Sequence, residues 1–517
     1  MAFLLRDNQP TVVHCDTDVL RATLGIQEYL ALPTVTLKAC YATPRAGSSS
    51  TRLIDGARET PAADTPDATD QTGKNAWLVG ADLEKAMEES GWEERLEVRW
   101  PFRHTKKADD WEGREFVLTH LYTLLGIRIE SNTSPLLLIP PPSPPSLPLP
   151  DQAMYCQMAF EQLNVPGFSV LPNPLASLFA LNATTGIILH IGRTTSEVSI
   201  IVDSLVRWEC STTVEIGQED CEAWFIDLLN RDESLETELR AAVGEGWDEA
   251  TKQRLVREVA EFVWKECTGD DIEVPPAQVA SKAFVAATQP APEGDEGDFD
   301  VAKKLIGEPA PVAAAQSHKS KKAQQTATTA ATKAAADAVA AVAAESEATA
   351  QADVITVTIP SLPSKEISLG PVRHRLCEPL LKGKTPGGDT VWEGMGRAVE
   401  SASLSVGERM AVWEAVGVVG EVARIKSFAP ALMTFLSPFL LSSTDLPSDV
   451  QPARVRLLSI PDYFTNFKGA TSELAPFLGA SMVAKVAFSD AAGKHCTTKV
   501  DYNAKGPAVV YTVGNEE

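Results

Sequence analysis

The polarity pattern along the chain alternates between short apolar runs and amphipathic stretches, most regularly between residues 134 and 267. Ser134-Pro-Leu-Leu-Leu-Ile139 is an apolar run bounded by breakers, which predicts a buried strand. Met154, Met158, Ala159 and Leu163 then recur at helical spacing, so a helix is expected over 151–163. Gly167-Phe-Ser-Val-Leu171 reads as the next strand, Pro174 to Leu181 as a helix, and Gly186-Ile-Ile-Leu189 as a further strand. Across the polar turn Gly192-Arg-Thr-Thr195, Ser196-Glu-Val-Ser-Ile-Ile-Val-Asp203 brings the chain back as the second arm of a hairpin. Amphipathic helices are expected over 219–230 and 248–267. Strand and helix taking turns in this way predict an α/β layer.

Three segments break the pattern. Residues 46–75 are rich in Ser, Thr, Asp, Ala and Gly and hold too little apolar area to offset ordering entropy, so a mobile loop is expected. Residues 140–150, Pro-Pro-Pro-Ser-Pro-Pro-Ser-Leu-Pro-Leu-Pro, lack N–H groups and have fixed φ, which leaves an extended link or a ligand for a proline-recognising partner. Residues 286–352 begin acidic, Glu293 to Asp298, and become rich in Ala, Thr and Lys, without large side chains to anchor a helix. A disordered surface insertion is expected there, with Lys319, Lys321 and Lys322 as a solvated charge run.

Composition narrows the function classes. The 517 residues are 44% hydrophobic and 22% charged, which is enough for a sizeable core. Lys and Arg number 46 against 70 for Asp and Glu, giving a net charge of −24 that repels phosphate backbones, so direct nucleic-acid binding is not expected. The N-terminus has no basic segment before its apolar residues and does not read as a secretory signal. The longest apolar stretch, around Ala431 to Leu441, is interrupted by Thr434, Ser437 and Pro438, short of the ~20 residues that span a bilayer. No membrane association is expected. The eight cysteines form no C-x-x-C pair, which fits reduced thiols rather than a disulfide framework or a zinc site.

Several stretches in colinear order then acquire a common meaning: Trp100-Pro-Phe-Arg103, Trp111 ahead of a helix at Phe116 to Leu125, Pro135-Leu-Leu-Leu138, Phe160-Glu-Gln-Leu-Asn-Val-Pro166 and Pro174-Leu-Ala-Ser-Leu-Phe-Ala180. Thr184-Thr-Gly-Ile187, Phe477-Leu-Gly-Ala-Ser-Met-Val-Ala484 and Lys499-Val-Asp-Tyr-Asn-Ala-Lys-Gly-Pro-Ala-Val-Val510 complete them. The set resembles actin and the actin-related proteins. Leu5-Arg-Asp-Asn-Gln-Pro-Thr-Val-Val13 and Pro461-Asp-Tyr-Phe464 resemble, within that family, the fungal ninth class. The resemblance implies an α/β, actin-like two-lobed fold of the actin, sugar-kinase and chaperone ATPase superfamily, with low-complexity insertions. It places the first lobe at 1–182, the second at 183–285 and 353–476, and a C-terminal segment returning to the first lobe at 477–517.

Actin-type ATPases hold phosphate between two glycine-bearing hairpins, each with an aspartate that organises magnesium. Aligned with the first, Val13-His-Cys-Asp-Thr-Asp18 puts His14 at the aspartate and Asp16 and Asp18 at the glycines, while Arg21 keeps the basic position that follows. Each bare like-charge contact at 4 Å costs about 1–4 kcal/mol, so phosphate is disfavoured there. In the second, His190 and Arg193 stand at the two aspartates and Gly192 alone survives of the glycines. Imidazole is a poor magnesium ligand. Asn173 takes the place of a water-positioning glutamine, Glu197 that of a histidine, and Glu421 that of an adenine-side glycine, while Glu261 matches the ribose-contacting glutamate. The expectation is a degenerate nucleotide cleft with no metal, no required cofactor and no hydrolysis; Arg21, Arg193 and Glu261 leave metal-free nucleotide held passively as the alternative. His14 and His190 have no third ligand at metal-binding spacing, nor does the pair His374 and Cys377.

What the resemblance then implies is a non-catalytic subunit of a nuclear SWI/SNF- or RSC-type chromatin-remodelling complex. Its partners would be a helicase-SANT-associated helix of the remodeller ATPase subunit and a second actin-related protein, with chromatin reached indirectly. Val483, Tyr502, Val509 and Val510, with the helix 174–181, are the candidates for lining the helix-binding groove. The alternatives are a non-catalytic actin relative capping a dynactin-type filament, and an active actin-like ATPase.

Overall fold

The computed structural model describes residues 10–26, 30–45, 76–89, 91–103, 109–142, 148–274, 353–401, 403–440, 452, 454–467, 472–488 and 495–511. The expected insertions at 46–75 and 286–352, with the lysines at 319–322, lie outside the described residues. Packing divides the chain into two units, one of residues 1–224 with 377–517 and one of residues 225–376.

In the first unit, strands β1 (Thr11–Cys15) and β2 (Val19–Leu24) form an antiparallel hairpin, with β3 (Val35–Lys38) beyond β2. On the other side β4 (Leu136–Ile139) runs parallel to β1, and β5 (Gly167–Val170) parallel to β4. The short strand Thr497–Thr498 closes that edge against β5. Alternate residues explain the uninterrupted apolar runs. Val13, Leu136 and Leu138 enter a core with Phe102, Leu118 and Tyr122, whereas Val12, Leu137 and Ile139 enter another with Phe477 and Leu478. A parallel pair buried on both faces has no polar side to show.

The second sheet of this unit pairs β6 (Gly186–Ile191) with β7 (Ser196–Val202) in the expected hairpin, and β8 (Leu205–Val206) and β9 (Thr212–Val214) with β7. Strand β10 (Val416–Gly420) lies parallel to β6. It ends at Gly420, whose φ of 101° suits glycine.

The helices fall close to the expected spans, at Leu149–Gln157, Asn173–Ala180, Gln218–Asn230 and Glu249–Glu266. Two differ in detail. The first helix after Trp100 begins at Trp111 itself, because the Asp110 side chain accepts the Gly113 N–H at 2.9 Å and caps the helix a turn early. The helix from Leu149 continues through Met158–Gln162 as a π-helical turn. Together these elements make the mixed α/β fold expected from the sequence.

The second unit carries the helices Glu233–Val243 and Glu249–Glu266 and the hairpin of Ile355–Val357 with Ile367–Leu369. Buried Arg373 donates to the carbonyls of Thr268 (3.1 Å), Asp353 (2.9 Å) and Gly370 (2.8 Å) and pairs with the Asp353 carboxylate. His374 Nε2 lies 2.6 Å from the other oxygen of that carboxylate, which accounts for this histidine structurally.

Candidate functional site

Two hairpin turns face a common cavity. In the first, the Asp16 N–H donates to the Val19 carbonyl at 2.9 Å and the Thr17 N–H to Asp16 Oδ1 at 2.7 Å. In the second, the Gly192 N–H donates to the Thr195 carbonyl at 2.9 Å, so this glycine's amide is used within its own turn. The cavity between them measures about 80 Å³ and is lined by Asp16, Asp18, Arg21, Arg193, Glu421 and Glu473, among others. Small-molecule sites usually run to about 300–1,000 Å³.

The charges around this cavity are matched to one another. Arg21, buried on β2, is ion-paired with Glu473 and lies 4.0 Å from Asp16. Glu473 also approaches Arg424 Nε at 3.9 Å, and Arg424 donates to Glu421 at 3.2 Å. Arg103 Nε donates to Asp18 Oδ1 at 2.6 Å. Arg193 lies 3.9 Å from the other Asp18 oxygen and donates to Glu222 Oε1 at 2.7 Å, an oxygen that also accepts from Gln218 at 2.9 Å. Burial pushes the Asp18 and Glu473 carboxyls up despite these arginines. It pushes Asp16 up as well, but His190, His14, Arg21 and the Thr17 N–H outweigh it and hold that carboxyl below its usual range. Arg21, the favourable charge expected to survive for a phosphate, is thus taken by Glu473.

His14 and His190 are both buried. His14 Nε2 lies 3.3 Å from the Asn173 amide nitrogen and accepts from it, which assigns the ring proton to Nδ1. Burial lowers His14 to about 3, with Arg21 and His190 helping and Asp16 opposing. Burial likewise lowers His190 against the pull of Asp16. Both rings are therefore neutral near pH 7. Among the described residues no group of three or more His, Cys, Asp or Glu is placed to hold a metal ion. Glu261 lies exposed on Glu249–Glu266 of the second unit.

A contrasting site sits beside the helices Ala475–Ala487 and Asn173–Ala180. They cross so closely that a Cβ on Gly479 would run into the Ala176 carbonyl. Beyond the crossing opens a groove of about 560 Å³, lined by Phe179, Ala183, Met482, Val483, Val486 and His495, among others. Val486 is 68% exposed. Of the residues expected to line a groove, Val483 does so, and Phe179 comes from the expected helix. Tyr502, Val509 and Val510 do not. The Tyr502 ring stacks on Phe160 at 4.6 Å and its hydroxyl donates to Glu161 at 2.6 Å, while Val509 and Val510 pack in the same core. They pack the C-terminal segment onto the first sheet's core.

Sequence reasoning missed Arg103, Gln218, Glu222 and Glu473, since charged residues scattered along a chain carry no sign of their pairing. It also missed Met482 and Val486, although a signal was present: the helix Ala475–Ala487 is apolar nearly all round, which implies more than one packing partner.

Residues 29–270 match the family model for actin. The chain is 24% identical over 436 residues, 78% of this chain and 77% of the relative, to a Schizosaccharomyces pombe protein called SWI/SNF and RSC complexes subunit arp9. It is also 26% identical over 136 residues, 26% of this chain and 34% of the relative, to an actin-like protein of Neurospora crassa.

Proposed function

We propose that this chain, whose residues 29–270 match the family model for actin, is a non-catalytic, actin-related subunit of a nuclear chromatin-remodelling complex of the SWI/SNF or RSC type. The observation that carries this reading is the cavity between the two turns, about 80 Å³, whose arginines are already paired with Glu473, Asp16, Asp18 and Glu222. The residues present do not fit a magnesium nucleotide. A triphosphate entering there would have to displace four carboxylates and break ion pairs that no other described residue replaces, with each like-charge contact at 4 Å costing about 1–4 kcal/mol. Magnesium would meet neutral imidazoles at the two positions where its organising aspartates are expected. No ATP hydrolysis and no bound cofactor follow from this reading.

Binding is what remains. The groove beside Gly479 has the volume and apolar lining to take one face of an amphipathic helix. A receptor with a net charge of −24 favours a basic helix. We assign that helix to the helicase-SANT-associated segment of the remodeller's ATPase subunit, bound together with a second actin-related protein, and chromatin is reached through them. The similarity over 78% of the chain to a protein named as a subunit of SWI/SNF and RSC complexes supports the assignment. The test is affinity purification of the native protein from nuclear extract followed by mass spectrometry. Recovery with a remodelling ATPase is expected; recovery with microtubule-motor adaptor subunits instead overturns the assignment.

A further inference from the structure

A third cavity, of about 510 Å³, shares no lining residue with the inter-turn cavity or the groove. Its walls are largely apolar, with Pro140, Pro172 and Val198 among them and the Trp208 ring at one side. Into this setting β7 places Glu197, flanked in register by His190 on β6 and Thr213 on β9. The Glu197 carboxyl makes no hydrogen bond to any described residue, and among the described residues no Arg, Lys or His lines the cavity. The nearby groups offer it nothing. His190 is held neutral by burial, Asp16 repels it, and the Asn173 amide is engaged with His14 and Ser177. Burial, with Asp16 adding to it, pushes the Glu197 carboxyl up to about 8. An acid left without a counter-ion in an apolar cavity of this size is complementary to a ligand that brings both a cation and a hydrophobic stem.

We propose that this cavity binds an arginine side chain presented by a basic peptide segment of a partner protein, with Glu197 as the counter-ion and Trp208 and the prolines against the stem. A guanidinium suits the site because it is weakly hydrated, stacks on indole and stays charged at any pH used to titrate a carboxyl. The net charge of −24 draws such a segment in. The proposal is independent of the scaffold function and survives its failure.

Pairing requires Glu197 to ionise, which gives the test a distinctive pH signature. The probe is the peptide acetyl-Gly-Gly-Arg-Gly-Gly-amide, titrated calorimetrically into the full chain at several pH values, with the citrulline analogue as control. The expected affinity rises roughly tenfold per pH unit below about 8 and levels off above it, and the citrulline peptide does not bind. Glu197→Gln abolishes the pH dependence and weakens binding above pH 8 at least tenfold. Trp208→Ala, at a half-buried position, weakens binding but keeps the pH dependence, which preserves the test should the first variant fold poorly. Affinity flat from about pH 6.5 to 8.5 and equal in Glu197→Gln, the mark of general attraction to an acidic surface, overturns the proposal. So does absence of binding at pH 8.5.

Discussion

The inter-turn cavity and the groove beside Gly479 are built from adjoining elements yet have opposite character. Asn173 touches His14 at one end of its helix, and Phe179 lines the groove toward the other. One cavity is about 80 Å³ and is filled by the chain's own ion pairs; the other is about 560 Å³, apolar and open. The difference separates two tasks. Charge pairs spanning the turns convert a ligand-shaped space into an internal fastening, while apolar area left uncovered on a well-packed helix pair is free for a partner. The first should therefore be sensitive to loss of a charge and to pH, the second to changes that leave stability alone.

The largest effect is expected at Glu473. Glu473→Ala leaves buried Arg21, among the described residues, with Asp16 at 4.0 Å as its remaining counter-ion, and removing one member of a buried pair costs about 3 kcal/mol. Urea denaturation measures it, and a loss below about 0.5 kcal/mol would mean that the cavity is not held by its charges. Gly479→Val comes next. It forces the crossing helices apart at the Ala176 carbonyl at a cost of about 2 kcal/mol and deforms the groove with them.

Stability should also respond to pH through two buried groups. The folded chain refuses His14 a proton until about pH 3, whereas the unfolded chain accepts one near the ordinary histidine value of 6.5. The His14 contribution is thus fully present above about 6.5 and is lost as pH falls toward 3, at up to about 1.4 kcal/mol per pH unit. Glu197 runs the other way: its contribution is present below the ordinary carboxylate value of 4.5 and is lost as pH rises to about 8. The two oppose each other between about 4.5 and 6.5. Relative to the parent chain, His14→Asn should make the slope of stability against pH more negative in that window, and Glu197→Gln should make it more positive; identical slopes in both variants contradict the assignments. The smallest effect on stability belongs to Val486→Arg. At a 68% exposed position it should shift the unfolding free energy by less than about 0.5 kcal/mol, yet weaken binding of a basic helix about tenfold.

Much of this architecture was legible in the sequence. The hairpin from Gly186 to Val202, the buried strand at Leu136–Ile139 and the helix Asn173–Ala180 follow from apolar periodicity interrupted by turn residues, because local pattern and burial agree there. The positions of His14 and His190 came from the resemblance, and their neutrality from burial, which only coordinates give. The pairing of Arg21 with Glu473 joins residues 452 apart and leaves no trace in local pattern. Tyr502 teaches a related lesson. A motif resembling the family's C-terminus identifies the segment but does not say which side chains face outward, and here the ring packs against Phe160.

On this reading, the chain's own charges close the space between the turns to a nucleotide. The decisive experiment is isothermal titration of magnesium-ATP into the purified full chain, with phosphate release followed in the same sample. No saturable heat in the micromolar range and no release above the buffer rate are expected. Stoichiometric micromolar binding accompanied by phosphate release contradicts the reading.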